Sequence, residues 1–112
     1  MAQNFRRYTL HDIGTTAKGV PSDSTTFDSY DTIVGINVAN VTDSSIEVDV
    51  YINDGTNDIY LVKAAPISAG GALQVLDGGA KFVVQNGDKL LVKSSAATSA
   101  DAWISTVDDI SS

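Results

Sequence analysis

The chain has 112 residues, a formal net charge of −7, no cysteine and one histidine, His11. That length suits a single domain with one core, burying roughly two thirds of the unfolded surface. The composition rules out disulfides, thiolate metal sites and His-rich metal centres, and the negative charge argues against nucleic acid as partner of the folded body.

Residues 1–31 carry many Thr, Ser, Asp and Gly, with Pro21 in their middle and no helical period. They read as an extended N-terminal arm with one short strand near residues 5–10, from which Phe27 and Tyr30 lead into a body over residues 32–112. The other reading makes this stretch a first edge strand of the same sandwich. Within residues 1–20, Arg6, Arg7 and Lys18 face Asp12 alone, a local charge of +2, whereas the remainder holds four lysines against thirteen acids, a charge of −9. A basic arm on an acidic body suits self-association, because one copy's arm can lie on the next and cover an open sheet edge. No apolar run follows the early arginines, so no signal peptide is expected. No stretch approaches the ~20 apolar residues that span a bilayer, so no membrane partner is expected and synthesis in a cytoplasm is.

From Thr32 the pattern is β. Val34, Ile36 and Val38 alternate with Gly35 and Asn37. Next, Ile46, Val48, Val50 and Ile52 share one face while Glu47, Asp49, Tyr51 and Asn53 share the other. A period of two places one face on a core and one in water. Further strands are expected over residues 59–62, 72–76, 81–85, 89–93 and 102–107, about seven in the body. The fold class expected is therefore all-β, an antiparallel β-sandwich of jelly-roll or immunoglobulin-like topology. Turn chemistry separates the strands: the polar run 40–45, Asn53-Asp54-Gly55, residues 66–71, Asp77-Gly78-Gly79, Asn86-Gly87-Asp88, and a small-residue loop over 94–100.

Catalytic chemistry finds little footing. Residues 53–58 crowd oxygen ligands as a hard cation requires, but their spacing matches no helix-based calcium loop, and a hairpin turn is the default. Glu47 and Asp49 are two apart on one strand face, yet paired-carboxylate glycoside hydrolysis needs a cleft and one raised pKa, so solvation or contact with a basic arm is expected. His11-Asp12 invites a triad, but no nucleophile elbow accompanies it. Gly pairs fall only in turns, which leaves no phosphate-cradling loop before a helix. No catalytic, cofactor-binding or metal residues are expected. Interface candidates are Phe5, Arg6, Arg7 and Tyr8 in the arm, with Tyr51, Tyr60 and Trp103 in the body. Tyr51 should point outward with the acids, and Trp103 either plugs the core or anchors a contact.

Several segments resemble the small virion proteins of tailed bacteriophages, notably marine and cyanobacterial ones: the opening Met1-Ala2-Gln3-Asn4-Phe5-Arg6-Arg7-Tyr8-Thr9, residues 34–40, residues 60–67, the Gly70-Gly71 turn and residues 87–95. The resemblance runs over nearly the whole chain and its motifs are structural. It implies a non-enzymatic subunit of the particle, made in the host cytoplasm and located in the virion. Its partners would be other phage structural proteins and further copies of the chain. A capsid decoration (cement) protein, as a homotrimer, is the expectation. The alternatives are a neck, tail or fibre-attachment subunit, or a glycan-binding module using Tyr51, Tyr60 and Trp103 as its platform.

Overall fold

The computed structural model describes residues 4–27, 31–75 and 81–108; Tyr30, Leu76 and the Asp77-Gly78-Gly79 turn lie outside them. Among the described residues there are nine strands and no helix: β1 (Asn4–Ile13), β2 (Lys18–Val20), β3 (Asp31–Asn40), β4 (Ile46–Asn53), β5 (Asp58–Ile67), β6 (Ala72–Gln74), β7 (Phe82–Val84), β8 (Lys89–Ser94) and β9 (Ala100–Asp108). All pairings are antiparallel. One sheet runs β1-β9-β3-β6, with β7 also on β3, and the other runs β2-β8-β4-β5. The chain changes sheet at nearly every connection, so first and last strands become neighbours. This is the wrapping of a jelly roll, two sheets sharing one core, rather than of an immunoglobulin sandwich.

The alternating pattern does what burial demands. Ile46, Val48 and Val50 are buried while Glu47 is exposed, and Leu90, Val92 and Ser94 are buried along β8. Ile13, Ile33, Ile36 and Ile104 are fully buried at the centre. Each such side chain contributes about 1.5–3 kcal/mol by leaving water. Where the period breaks, a bulge is responsible. Val34 does not share the face of Ile36 and Val38: the β3–β9 register shifts between Ile33 and Gly35, so Ile33 turns inward and Val34 is 37% exposed. An extra residue in one strand reverses the side-chain alternation there.

Residues 1–31 are not a separate arm where the structure describes them. Eight residues of β1 pair with β9 of the same chain, from Asn4 with Asp108 to Ile13 with Ala100, and β2 pairs with β8. Ile13, Val20 and Phe27 belong to the same buried cluster as the later strands. The stretch is the first edge strand and a second short strand of the sandwich. The correction has a simple cause: an apolar residue only every several positions suffices when the sheet edge supplies the hydrogen bonds.

Polar groups tie the sheets at one end. The Asn40 side-chain amide donates to the carbonyls of Ser44 (2.7 Å) and Ile67 (3.0 Å), and its Oδ1 accepts from Thr42 N (2.9 Å) and Thr42 Oγ1 (2.7 Å). Nearby, Ser94 N donates to Gly14 O and Ser99 N to Ile13 O, both at 2.9 Å.

Candidate functional site

The outer face of the β1-β9-β3-β6 sheet is the strongest candidate. Trp103, on β9, lies between Thr9 on β1 and Asn37 on β3, and is 51% exposed. Ala102 and Ile104 on either side are buried, so alternation alone sends the indole outward. The Arg7 guanidinium sits over the ring, 5.2 Å from its centroid, a cation–π contact that holds both groups in place. Shallow grooves flank the indole. One is lined by Leu10, His11, Asn37 and Ala39, the other by Arg6, Val34 and Ser105. Gly35 pairs with Ser105 beside it, and Val83 on β7 stands exposed on the adjoining strand. A large aromatic with a cation above it, beside the exposed Val34 and bordered by Arg6, His11 and Asp101, is a surface fitted to protein contact.

The other arm candidates separate. Phe5 pairs with Val107 through the backbone, and its side chain lies outside the described residues. Arg6 is exposed and lines grooves on both sides of β1. Tyr8 is half-buried, packed edge-on against Phe27 with centroids 6.2 Å apart, and belongs to the core margin.

Tyr51 departs from its expected exposure. It does sit on the outer face of the second sheet, outside the core cluster, but only 9% of it is exposed. Its cross-strand partner Tyr60 lies against it, centroids 4.8 Å apart and tilted by 33°, and Leu91 stands opposite on β8. Burial pushes the Tyr51 phenol above its ordinary pKa, and the nearby Asp58, Tyr60 and Asp49 add to the rise. Tyr60 stays 40% exposed and carries Lys63 above its ring at 4.4 Å. Trp103 faces away from this pair on the opposite side of the sandwich. The three aromatics therefore do not form one glycan platform.

The carboxylates have local duties. Asp49 Oδ1 accepts the Ala64 amide at 2.7 Å, where β5 bulges and Ala64 takes a positive φ of 53°. Lys93 Nζ is 3.9 Å from Asp49 Oδ2. Asp49 thus stabilises a bulge, while Glu47 is exposed in the open groove beside it. In the β4–β5 hairpin, Asn53 Oδ1 accepts from Gly55 N, and Asp54 Oδ1 accepts from Thr56 N (3.0 Å) and Asn57 N (2.7 Å). Those amides hold the Asp54 carboxyl below its ordinary pKa. Gly55 at φ 96° completes the turn, so these oxygens are occupied by backbone donors as a hairpin requires.

His11 meets Asp101, a partner ninety residues away that no sequence signal marks. Nδ1 is 3.0 Å from Asp101 Oδ1, and Nε2 is 3.4 Å from Asp12 Oδ1. Asp101 also accepts the Asp12 amide at 3.1 Å, where Asp12 has φ 55°. Both ring nitrogens face carboxylates, so neither serves a Ser or Thr nucleophile as a triad would. The group caps the irregular end of the β1–β9 ladder.

Among the described residues no helix is long and apolar enough to cross a membrane. No family model matches the sequence, and no curated protein matches it. Solved structures share its fold. The Drosophila NLP core, described for pentamer formation and histone binding, is 13% identical, with a TM-score of 0.53 over 94% of this chain and 95% of that one. A Bacillus endospore appendage protein, of a family of disulfide-linked pili, is 17% identical, with a TM-score of 0.51 over 95% of this chain and 84% of that one. A chain of infectious bursal disease virus, Gx strain, is 15% identical, with a TM-score of 0.50 over 93% of this chain and 33% of that one.

Proposed function

We propose that the chain is a non-enzymatic structural subunit of a tailed-phage particle, acting as a capsid decoration protein that bridges neighbouring shell subunits. The observation that carries this is the outer face of the β1-β9-β3-β6 sheet, where a half-exposed Trp103 under Arg7 stands beside the exposed Val34 within a polar border. An aromatic in that setting contributes binding energy when a partner excludes water from it. The carboxylates and the histidine reinforce turns, bulges and a strand end, which suits a scaffold for contacts rather than chemistry.

The resemblance of five segments to small virion proteins supports the same reading. So does the company of the fold: three of the solved structures that share it belong to a pentamer-forming core, to pili and to a virus. The pilus relatives are disulfide-linked, which this cysteine-free chain cannot be, so its contacts would be non-covalent. Assembly as a homo-oligomer, drawn as a trimer, is part of the proposal. A neck or tail position would use the same face. The band of the chain on a stained gel of purified particles separates the two. Decoration predicts intensity comparable with the major shell protein, and a neck or fibre subunit predicts a faint band. Absence from the particle would refute both.

A further inference from the structure

Resting on that reading of an assembling subunit, we infer that copies of this chain associate head to tail, the Arg7–Trp103 face of one receiving the β4–β5 hairpin end of the next. The two surfaces are chemical complements. On β1, β9 and β3, the groove of Arg6, Arg7, Val34 and Trp103 combines positive charge with exposed apolar groups, while Asp101 lines the groove on the other side of the indole. At the hairpin end, the exposed Asp54 and Asp58 adjoin Ile59, 52% exposed, and Tyr60. Bases stand there too, Lys89 paired with Asn53 and Lys63 over the Tyr60 ring, so Asp54, Asp58 and Asp88 outnumber them three to two. Charge of one sign meeting the other steers encounter and fixes register, and the aromatic and aliphatic groups supply the buried contact.

Geometry makes the contact intermolecular. Trp103 points outward from one sheet, and Tyr60 points outward from the other, with the shared core between them. One molecule cannot bring its own two patches together. Two different patches on opposite faces make a heterologous interface, which closes into a ring or runs on as a filament, and does not stop at a two-fold dimer. The charge division along the chain serves this directly: residues 1–20 sum to +2, with Arg6 and Arg7 on β1, and the remainder sums to −9. Asp54 is held in its ionised form by two turn amides, so the hairpin keeps its charge at neutral pH.

The experiment is a charge-reversal series read by native mass spectrometry and sedimentation at low salt. Wild-type protein should form oligomers that weaken as salt rises. Arg7→Glu and Asp58→Lys should each raise the concentration for half-assembly by about tenfold or more. The double variant should assemble again, because its Glu-bearing face meets a Lys-bearing hairpin at every contact of a ring of any size. Monomeric wild type at its highest soluble concentration would overturn the inference, as would single variants that assemble normally or a double variant that does not recover. In the last two cases an oligomer built elsewhere would leave the subunit reading standing, since the gel of purified particles tests that separately.

Discussion

The side-chain amide of Asn40 donates to the Ile67 carbonyl across 3.0 Å, joining β3 of one sheet to the last residue of β5 in the other. Asn40 is 2% exposed and also serves Ser44 and Thr42, so it organises the whole turn between β3 and β4. Asn40→Leu should lower stability by about 2–3 kcal/mol, since it strands buried carbonyls and an amide without partners. Urea unfolding followed by far-UV circular dichroism checks this through the midpoint.

Thr106 gives the opposite sign. Its hydroxyl is buried without a hydrogen-bond partner among the described residues, in a side chain 1% exposed. Thr106→Val removes the desolvated hydroxyl and keeps the shape, so stability should rise by about 1 kcal/mol. An unchanged or lower urea midpoint would show that the hydroxyl has a partner in solution.

The first strand should prove structural. Ile13 is fully buried, and β1 supplies one side of the β9 ladder. Ile13→Ala should cost about 2–5 kcal/mol through the cavity it leaves. Deleting residues 1–20 should abolish cooperative unfolding, because Val20 and a paired strand go with it. A truncated chain that melts like the full one would restore the picture of a dispensable arm.

Alkali should weaken the fold through Tyr51. Its folded pKa lies above the ordinary 10.0, so the folded state holds its proton more tightly than the unfolded state. The resulting stability is fully present below pH 10 and is lost as pH rises through the folded value. Tyr51→Phe should remove that alkaline loss in urea titrations from neutral pH upward. Asp54 works in the other direction. Its folded pKa is depressed, so its contribution is present above the ordinary 3.8 and fades as pH falls through the folded value. Asp54→Ala should flatten the acid limb of the same titration.

Much of the sandwich is legible in the chain because alternation is local. The strands from Ile46 onward and the Asn53-Asp54-Gly55 turn follow from a period of two and from residues that tolerate a positive φ. β5 extends further than expected, to Ile67, because Pro66 stands on an edge strand, where a missing N–H is tolerated. What escapes is set by the other strand. The inward turn of Ile33 comes from a bulge against β9, and the cover over Tyr51 comes from Tyr60 and Leu91 across the sheet. The joining of His11 to Asp101 exists only once the first strand lies on the last. Alternation sets Trp103 opposite Ala102 and Ile104 but leaves open which side is the core, and the burial of Ala102 and Ile104 in the folded sheet decides it. It says nothing of Arg7 above the ring, which depends on the same β1–β9 pairing.

The measurement that bears most directly on the account is oxidative footprinting of Trp103, the chain's single tryptophan, by mass spectrometry on the free protein and on particles that carry it. The exposed indole should be modified readily in the free chain and strongly protected once the subunit is assembled. Equal modification in both would mean that the Trp103 face meets nothing in the particle, and would contradict the assembly role assigned to it.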